Sequence, residues 1–156
     1  MSDPGDLAAF LANRYDEAEA LATAASHGTQ GKWGPRLDDA LGGHLLDDAG
    51  EVVVYDESAP SGYQFDHIAA NDPAHRLADI KLKRAILALH AVDTRREQRH
   101  ALPGDIADGK PLWWYEDEYD CAVCGWFATK HGGCETVRQL GTEFAEHAAY
   151  RSEWAP

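Results

Sequence analysis

No apolar run in this 156-residue chain approaches the roughly 20 residues that span a bilayer, so no membrane association is expected. Met1-Ser2-Asp3-Pro4-Gly5-Asp6 offers neither a basic n-region nor an apolar h-region, which predicts a cytoplasmic protein without a secretion signal. Positive charge is scarce as well. Lys and Arg number 14 against 27 Asp and Glu, for a formal net charge of −13. Such a surface repels phosphate backbones at long range, and direct nucleic-acid binding is not expected. Cysteine occurs only three times. An odd count in a reducing compartment argues against a disulfide framework and for metal binding or free thiols.

What is present describes a folded chain. The hydrophobic content of 44%, with five Trp and six Tyr, is enough for one core, and residues 1–156 read as a single domain. The charge is uneven: residues 1–72 carry 3 basic and 14 acidic side chains, residues 73–100 carry 7 and 3, and residues 101–156 carry 4 and 10. The plain reading is an acidic soluble protein. A sharper one is a mimic of DNA charge that occupies a basic groove on a partner.

Along the chain, Leu7, Phe10, Leu11, Ala18, Leu21 and Ala25 recur at helical spacing, predicting a first helix over 6–25 that stops at Ser26-His27-Gly28. The stretch 28–43 reads as a loop anchored by Trp33. A β-hairpin is expected over 44–55, turning at Asp47-Asp48-Ala49-Gly50, and Gln64–Ala69 could add a third strand. The paired carboxylates Asp47 and Asp48 are better explained by turn chemistry than by metal binding. Asp72-Pro73 opens a central helix over 73–91 with a wide apolar arc. Its Arg76, Lys81, Lys83 and Arg84 are expected to be clasped by the protein's own acids. A mobile loop is predicted over 93–110, then a strand through Trp113-Trp114-Tyr115 that returns the chain to the core, its rings expected to pack against the neighbouring helix and to become a candidate partner-binding patch only if exposed.

All three cysteines fall in Cys121-Ala122-Val123-Cys124-Gly125 and His131-Gly132-Gly133-Cys134. CxxCG forms a tight turn that aims two thiolates at one ion, and Cys134 begins a C-terminal helix over 135–148. A third thiolate and one imidazole complete a closed tetrahedral site, a zinc knuckle over 121–134 holding one structural Zn2+ per chain. A CxxC pair can also be redox-active, but Cys124-Gly125-Trp126-Phe127 does not look like the opening of a helix after a strand. Two histidines compete as the fourth ligand. His131 has the H-x2-C spacing to Cys134, and His90 closes the central helix and could reach across.

Asp66-His67-Ile68-Ala69-x-x-Asp72-Pro73, Lys83-Arg84, His90, CxxCG, Cys134-x-Thr136-Val137-Arg138-x-Leu140 and His147-x-x-Tyr150-Arg151-x-Glu153-Trp154 together resemble a family of small uncharacterised proteins from actinobacteria and their phages. The likeness runs from the first helix to the tail. It implies no reaction, but it implies that the cysteines and a histidine matching His90 belong to a shared pattern, so His90 and His131 both stay open as ligands.

The expected fold is α+β: about three helices, a small antiparallel sheet made of a β-hairpin plus one or two strands, and a C-terminal zinc knuckle. The expected function is a small acidic zinc-stabilised binding or regulatory protein, acting on a protein partner without catalysis. The alternatives are a phage-type DNA-mimic inhibitor and a small metal-dependent hydrolase. The hydrolase would need an open zinc position beside a carboxylate such as Asp120 or Glu135. The sequence does not fix an oligomeric state.

Overall fold

The computed structural model describes residues 4–38, 42–54, 62–125, 128 and 133–156. The described residues mix helices with two small antiparallel sheets. Where about three helices are expected, five form among the described residues: α1 (Pro4–Ala25), α2 (Gly62–Ala70), α3 (Pro73–Leu89), α4 (Pro103–Ala107) and α5 (Glu135–Gly141). One sheet joins β1 (Trp33–Asp38), β2 (Gly42–Asp47) and β3 (Val52–Val54). The other pairs β4 (Val92–His100) with β5 (Trp113–Cys121). The chain packs as two compact units, Asn13–Arg84 and Met1–Ala12 with Ala85–Pro156. No helix among the described residues is long and apolar enough to cross a membrane.

Alanine-rich α1 follows intrinsic helix propensity. Its buried stripe runs through Leu7, Phe10, Leu11, Tyr15 and Ala22, which shifts the expected one. Leu21, placed in the core by the sequence, is 73% exposed. At about 100° per residue, Ala22 sits about 20° from Leu11 on the wheel and Leu21 about 80° away. The chain leaves α1 through His27 and Gly28, both at positive φ.

Within Asn13–Arg84, Trp33 lies on a strand rather than in a loop: β1 pairs in full register with β2, from Trp33↔Asp47 to Asp38↔Gly42. Gly34 and Pro35 hid this strand, but β1 is an edge, where proline is tolerated. The β2–β3 turn behaves as expected. Asp47 Oδ1 accepts the N–H groups of Ala49 and Glu51, each at 2.9 Å, and Gly50 takes φ +86°. Tyr55, the last residue of the expected hairpin, lies outside the described residues. The third strand expected at Gln64–Ala69 is instead part of α2. Phe65, Ile68 and Ala69 repeat at helical spacing rather than alternating, and Phe65 is the buried member.

Asp72 caps α3 by accepting the His75 N–H at 2.7 Å on Oδ1, and its Oδ2 accepts the Trp33 N–H at 3.2 Å. Three of the four basic side chains expected to be clasped, Arg76, Lys83 and Arg84, meet acids of the same unit, while Lys81 is exposed. Arg84 reaches Glu19 and Asp16 at 2.5 Å each, and Arg76 and Lys83 both reach Asp79. The predicted wide apolar arc is narrower in the fold: Ile80 is buried, whereas Leu82 and Leu89 are exposed.

In the other unit the predicted mobile loop 93–110 is corrected by a nine-residue strand and a helix. β4 forms although it is almost devoid of apolar residues: Arg95 and Arg96 lie opposite Glu118 and Asp117 of β5, and Arg99, opposite Trp114, reaches along the ribbon to its acids. Arg95 pairs with Asp120, and Arg99 pairs with Glu118 and, at 3.4 Å, with Glu116. The C-terminal helix is shorter than predicted. α5 ends at Gly141, and a 3-10 turn covers Thr142–Phe144. A Cβ on Gly141 would lie 3.3 Å from Leu7 and 3.4 Å from Tyr150, so close packing holds glycine where a longer helix would want another residue. Beyond it Phe10 gathers Phe144, His147, Tyr150 and buried Trp154 at centroid distances of 5.2–6.2 Å. Arg138 donates to the carbonyl oxygens of Trp154 and Ala155 and pins the tail.

Candidate metal centre

β5 ends at Cys121, and the chain turns back at once. The Cys121 N–H donates to the Gly125 carbonyl at 3.1 Å, and the Gly125 N–H donates to the Cys121 carbonyl at 2.8 Å. Gly125 stands at φ +69°, in the left-handed region where a Cβ is strained. Inside the turn the Cys124 N–H donates to Cys121 Sγ at 3.4 Å. Backbone geometry thus puts the two sulfurs on one side of the knuckle.

The β4–β5 register delivers the imidazole. His90 completes the last turn of α3, its N–H donating to Ile86 at 3.0 Å. Two residues on, Val92 lies opposite Cys121, and the Ala122 N–H donates to the Ala91 carbonyl at 3.2 Å. Cys134 arrives from the other direction, after Gly133 at φ +102°. It is the N-cap residue of α5, in extended conformation, yet its side chain makes no cap hydrogen bond. The sulfur turns to His90 instead.

His90 Nδ1 lies 3.4 Å from Cys121 Sγ, 3.3 Å from Cys124 Sγ and 3.3 Å from Cys134 Sγ. All four ligand atoms lie within 4.8 Å of one another and could hold a metal ion. Cys121 and Cys134 are buried, Cys124 is half-buried, and no disulfide joins them. The structure therefore brings together four of the five predicted site residues. The fifth, His131, lies outside the described residues. The two carboxylates considered for a hydrolytic centre are engaged elsewhere. Asp120 pairs with Arg95, and Glu135 accepts from Gln139 Nε2 at 2.9 Å.

The thiols do not share one acidity. Burial works against a charge on Cys121, but the N–H groups of Cys124 and Val123, then His90 and Cys134, outweigh it and bring it down to about 7. Cys124 is pushed up to about 11, first by burial and then by the neighbouring Cys134 and Cys121. One thiolate forms readily, and its charge resists the next.

Three soft sulfurs and one imidazole, gathered with no carboxylate among the described residues, make a donor set suited to a thiophilic ion. This arrangement defines the chain as one with a possible His/Cys metal-binding cluster. The chain belongs to a family of unknown function (DUF6221), which matches residues 4–156. No curated protein and no solved structure matches it.

Proposed function

We propose that His90, Cys121, Cys124 and Cys134 bind one zinc ion, and that the ion stabilises a non-enzymatic binding or regulatory protein acting on a protein partner. One observation carries this reading: the near-equal approach of His90 Nδ1 to all three sulfurs, at 3.3–3.4 Å. A single N–H can point at only one acceptor, so hydrogen bonding explains one of these contacts and leaves two. A tetrahedral ion with Zn–S of about 2.3 Å and Zn–N of about 2.0–2.1 Å sets each N···S edge at about 3.5 Å and satisfies all three at once.

With four protein donors the shell is closed, which favours a structural role over hydrolysis. When bound, the ion supplies folding energy and fixes the local backbone. This chain's own residues do the positioning. Gly125 allows the knuckle, the β4–β5 register places His90, and α5 presents Cys134. The resemblance to actinobacterial and phage proteins belongs to the same reading, as the expected source of the chain.

The test is metal content by elemental mass spectrometry on purified wild type and on Cys121→Ser, His90→Ala and His131→Ala variants. We expect one zinc per chain in wild type and in His131→Ala, with loss in the other two. A folded wild type free of metal would overturn the reading. Retention in His90→Ala with loss in His131→Ala would move the fourth ligand.

A further inference from the structure

β5 is open to solvent at both ends. Where it begins, Trp113 and Tyr115 are more than half exposed, against the packing expected of them. Where it ends, the knuckle leaves Ala122 and Val123 exposed and Cys124 half-buried. The other two cysteines are closed off, Cys121 at 2% exposure and Cys134 at 0%. The three sulfurs are therefore not equally reachable from water, and a small solute meets Cys124 first.

A partner for Cys124 is at hand. Its N–H donates to Cys121 Sγ at 3.4 Å, and the two sulfurs lie within 4.8 Å of each other. One turn holds both residues, closed by the paired backbone hydrogen bonds between Cys121 and Gly125. The end Cα atoms of a four-residue turn lie within about 7 Å, the span that a disulfide bridges. Cys134 is held differently. It is the N-cap of α5, and its carbonyl accepts the Arg138 N–H at 3.0 Å. A bridge to Cys134 would draw on the end of a helix, whereas one to Cys121 stays within a single turn.

We propose that the centre is a redox switch: a hydroperoxide oxidises Cys124, Cys121 closes a disulfide on it, and the zinc ion is released. This rests on the reading above, since coordination holds both thiols deprotonated and the thiolate is the nucleophile. The Cys124 thiolate attacks one peroxide oxygen. The S–O bond forms, the O–O bond breaks, and hydroxide leaves to take a proton as water. The Cys121 thiolate then attacks the sulfur of that sulfenic acid. The S–S bond forms, the S–O bond breaks, and a second hydroxide leaves as water. Two thiolates lose two electrons, and one peroxide gains them. His90 and Cys134 alone do not make a tetrahedral shell, so the ion departs with its charge unchanged.

The test uses the full zinc-loaded chain, with zinc counted before hydrogen peroxide is added. One equivalent of peroxide should release about one zinc per chain to a chromophoric chelator. Peptide mapping should find a Cys121–Cys124 disulfide, with Cys134 still open to alkylation. Under limiting peroxide, dimedone should trap sulfenic acid on Cys124 about tenfold more than on Cys134. Dithiothreitol with added zinc should restore the bound ion. Zinc retained at excess peroxide, dimedone on Cys134 first, a bridge from Cys124 to Cys134, or a loss that dithiothreitol and zinc do not reverse would each overturn the switch. With zinc present at the outset, each of these leaves the metal reading intact. A folded chain that holds no zinc before peroxide would overturn the metal reading, and the switch with it.

Discussion

Three thiols and an imidazole within 4.8 Å of one another pose a problem of charge before one of geometry. With burial first and the neighbouring sulfurs after it pushing Cys124 up to about 11, this thiol holds its proton through the neutral range. Cys121, brought to about 7, gives up its proton near neutrality. The sign follows. A bound cation would stabilise the thiolates in the folded state, so their contribution would be present above the unfolded thiol value of about 8.5 and lost as pH falls. Loading the site should release at least one proton throughout this range. Each unit of falling pH then costs about tenfold for the Cys124 proton, with more below neutrality as Cys121 protonates. Competition with a chromophoric chelator should show zinc affinity falling by about 100-fold or more between about pH 8 and about pH 6. An affinity flat over that interval would mean that the thiols are not the ligands.

At the scale of elements, the β4–β5 ribbon decides whether His90 can meet the knuckle, and charge more than apolar burial holds it. Arg99 contacts Glu118, Glu116 and Glu97 from a side chain that is 40% exposed. Single exposed pairs are worth about 0.2–1 kcal/mol, and a shared cation lies at the upper end. Arg99→Ala should therefore destabilise the protein by about 1 kcal/mol, read as a drop of a few degrees in thermal melting. Strong salt should shrink the difference between variant and wild type. The same charge ladder explains why this element was not legible in the sequence. Rules of apolar alternation see nothing in Arg95-Arg96-Glu97-Gln98-Arg99, since its complement lies about 20 residues away at Glu116–Asp120. α2 was missed for another reason: a short run holding Phe65, Ile68 and Ala69 fits a strand until its spacing is counted. By contrast Asp72-Pro73, the Asp47–Gly50 turn and CxxCG announce themselves, because each is a local backbone solution with its own residue types. The thiols of the site were legible from spacing. Spacing alone could not choose His90, which reaches the cluster only through a pairing 31 residues away in sequence.

At the scale of the whole molecule, all four cluster residues belong to one of the two packed units, while the other holds a core of its own. Tyr15, Leu45, Phe65 and Ile80 are buried within Asn13–Arg84, and that segment contains no cysteine. The opposite unit brings Leu7, Phe10, Val137 and Trp154 to its core and is closed at the cluster by two buried cysteines. Structural zinc contributes an apparent 10–16 kcal/mol, comparable to the roughly 5–15 kcal/mol that separates native from unfolded domains. Stripping the ion with a strong chelator should lower the melting temperature by more than about 10 °C. Hydrogen exchange should then give the loss an address. Amides of Val92–Cys121 and Glu135–Gly141 should lose protection first, because their hydrogen bonds flank the four ligands. Those around Tyr15, Leu45 and Ile80 should keep theirs longer, since no ligand lies in their unit. If every amide instead exchanged at one common rate after chelation, the ion would be supporting a single cooperative fold. If none changed, the cluster would be packing without a metal's help, and the closed-shell argument would fail with it.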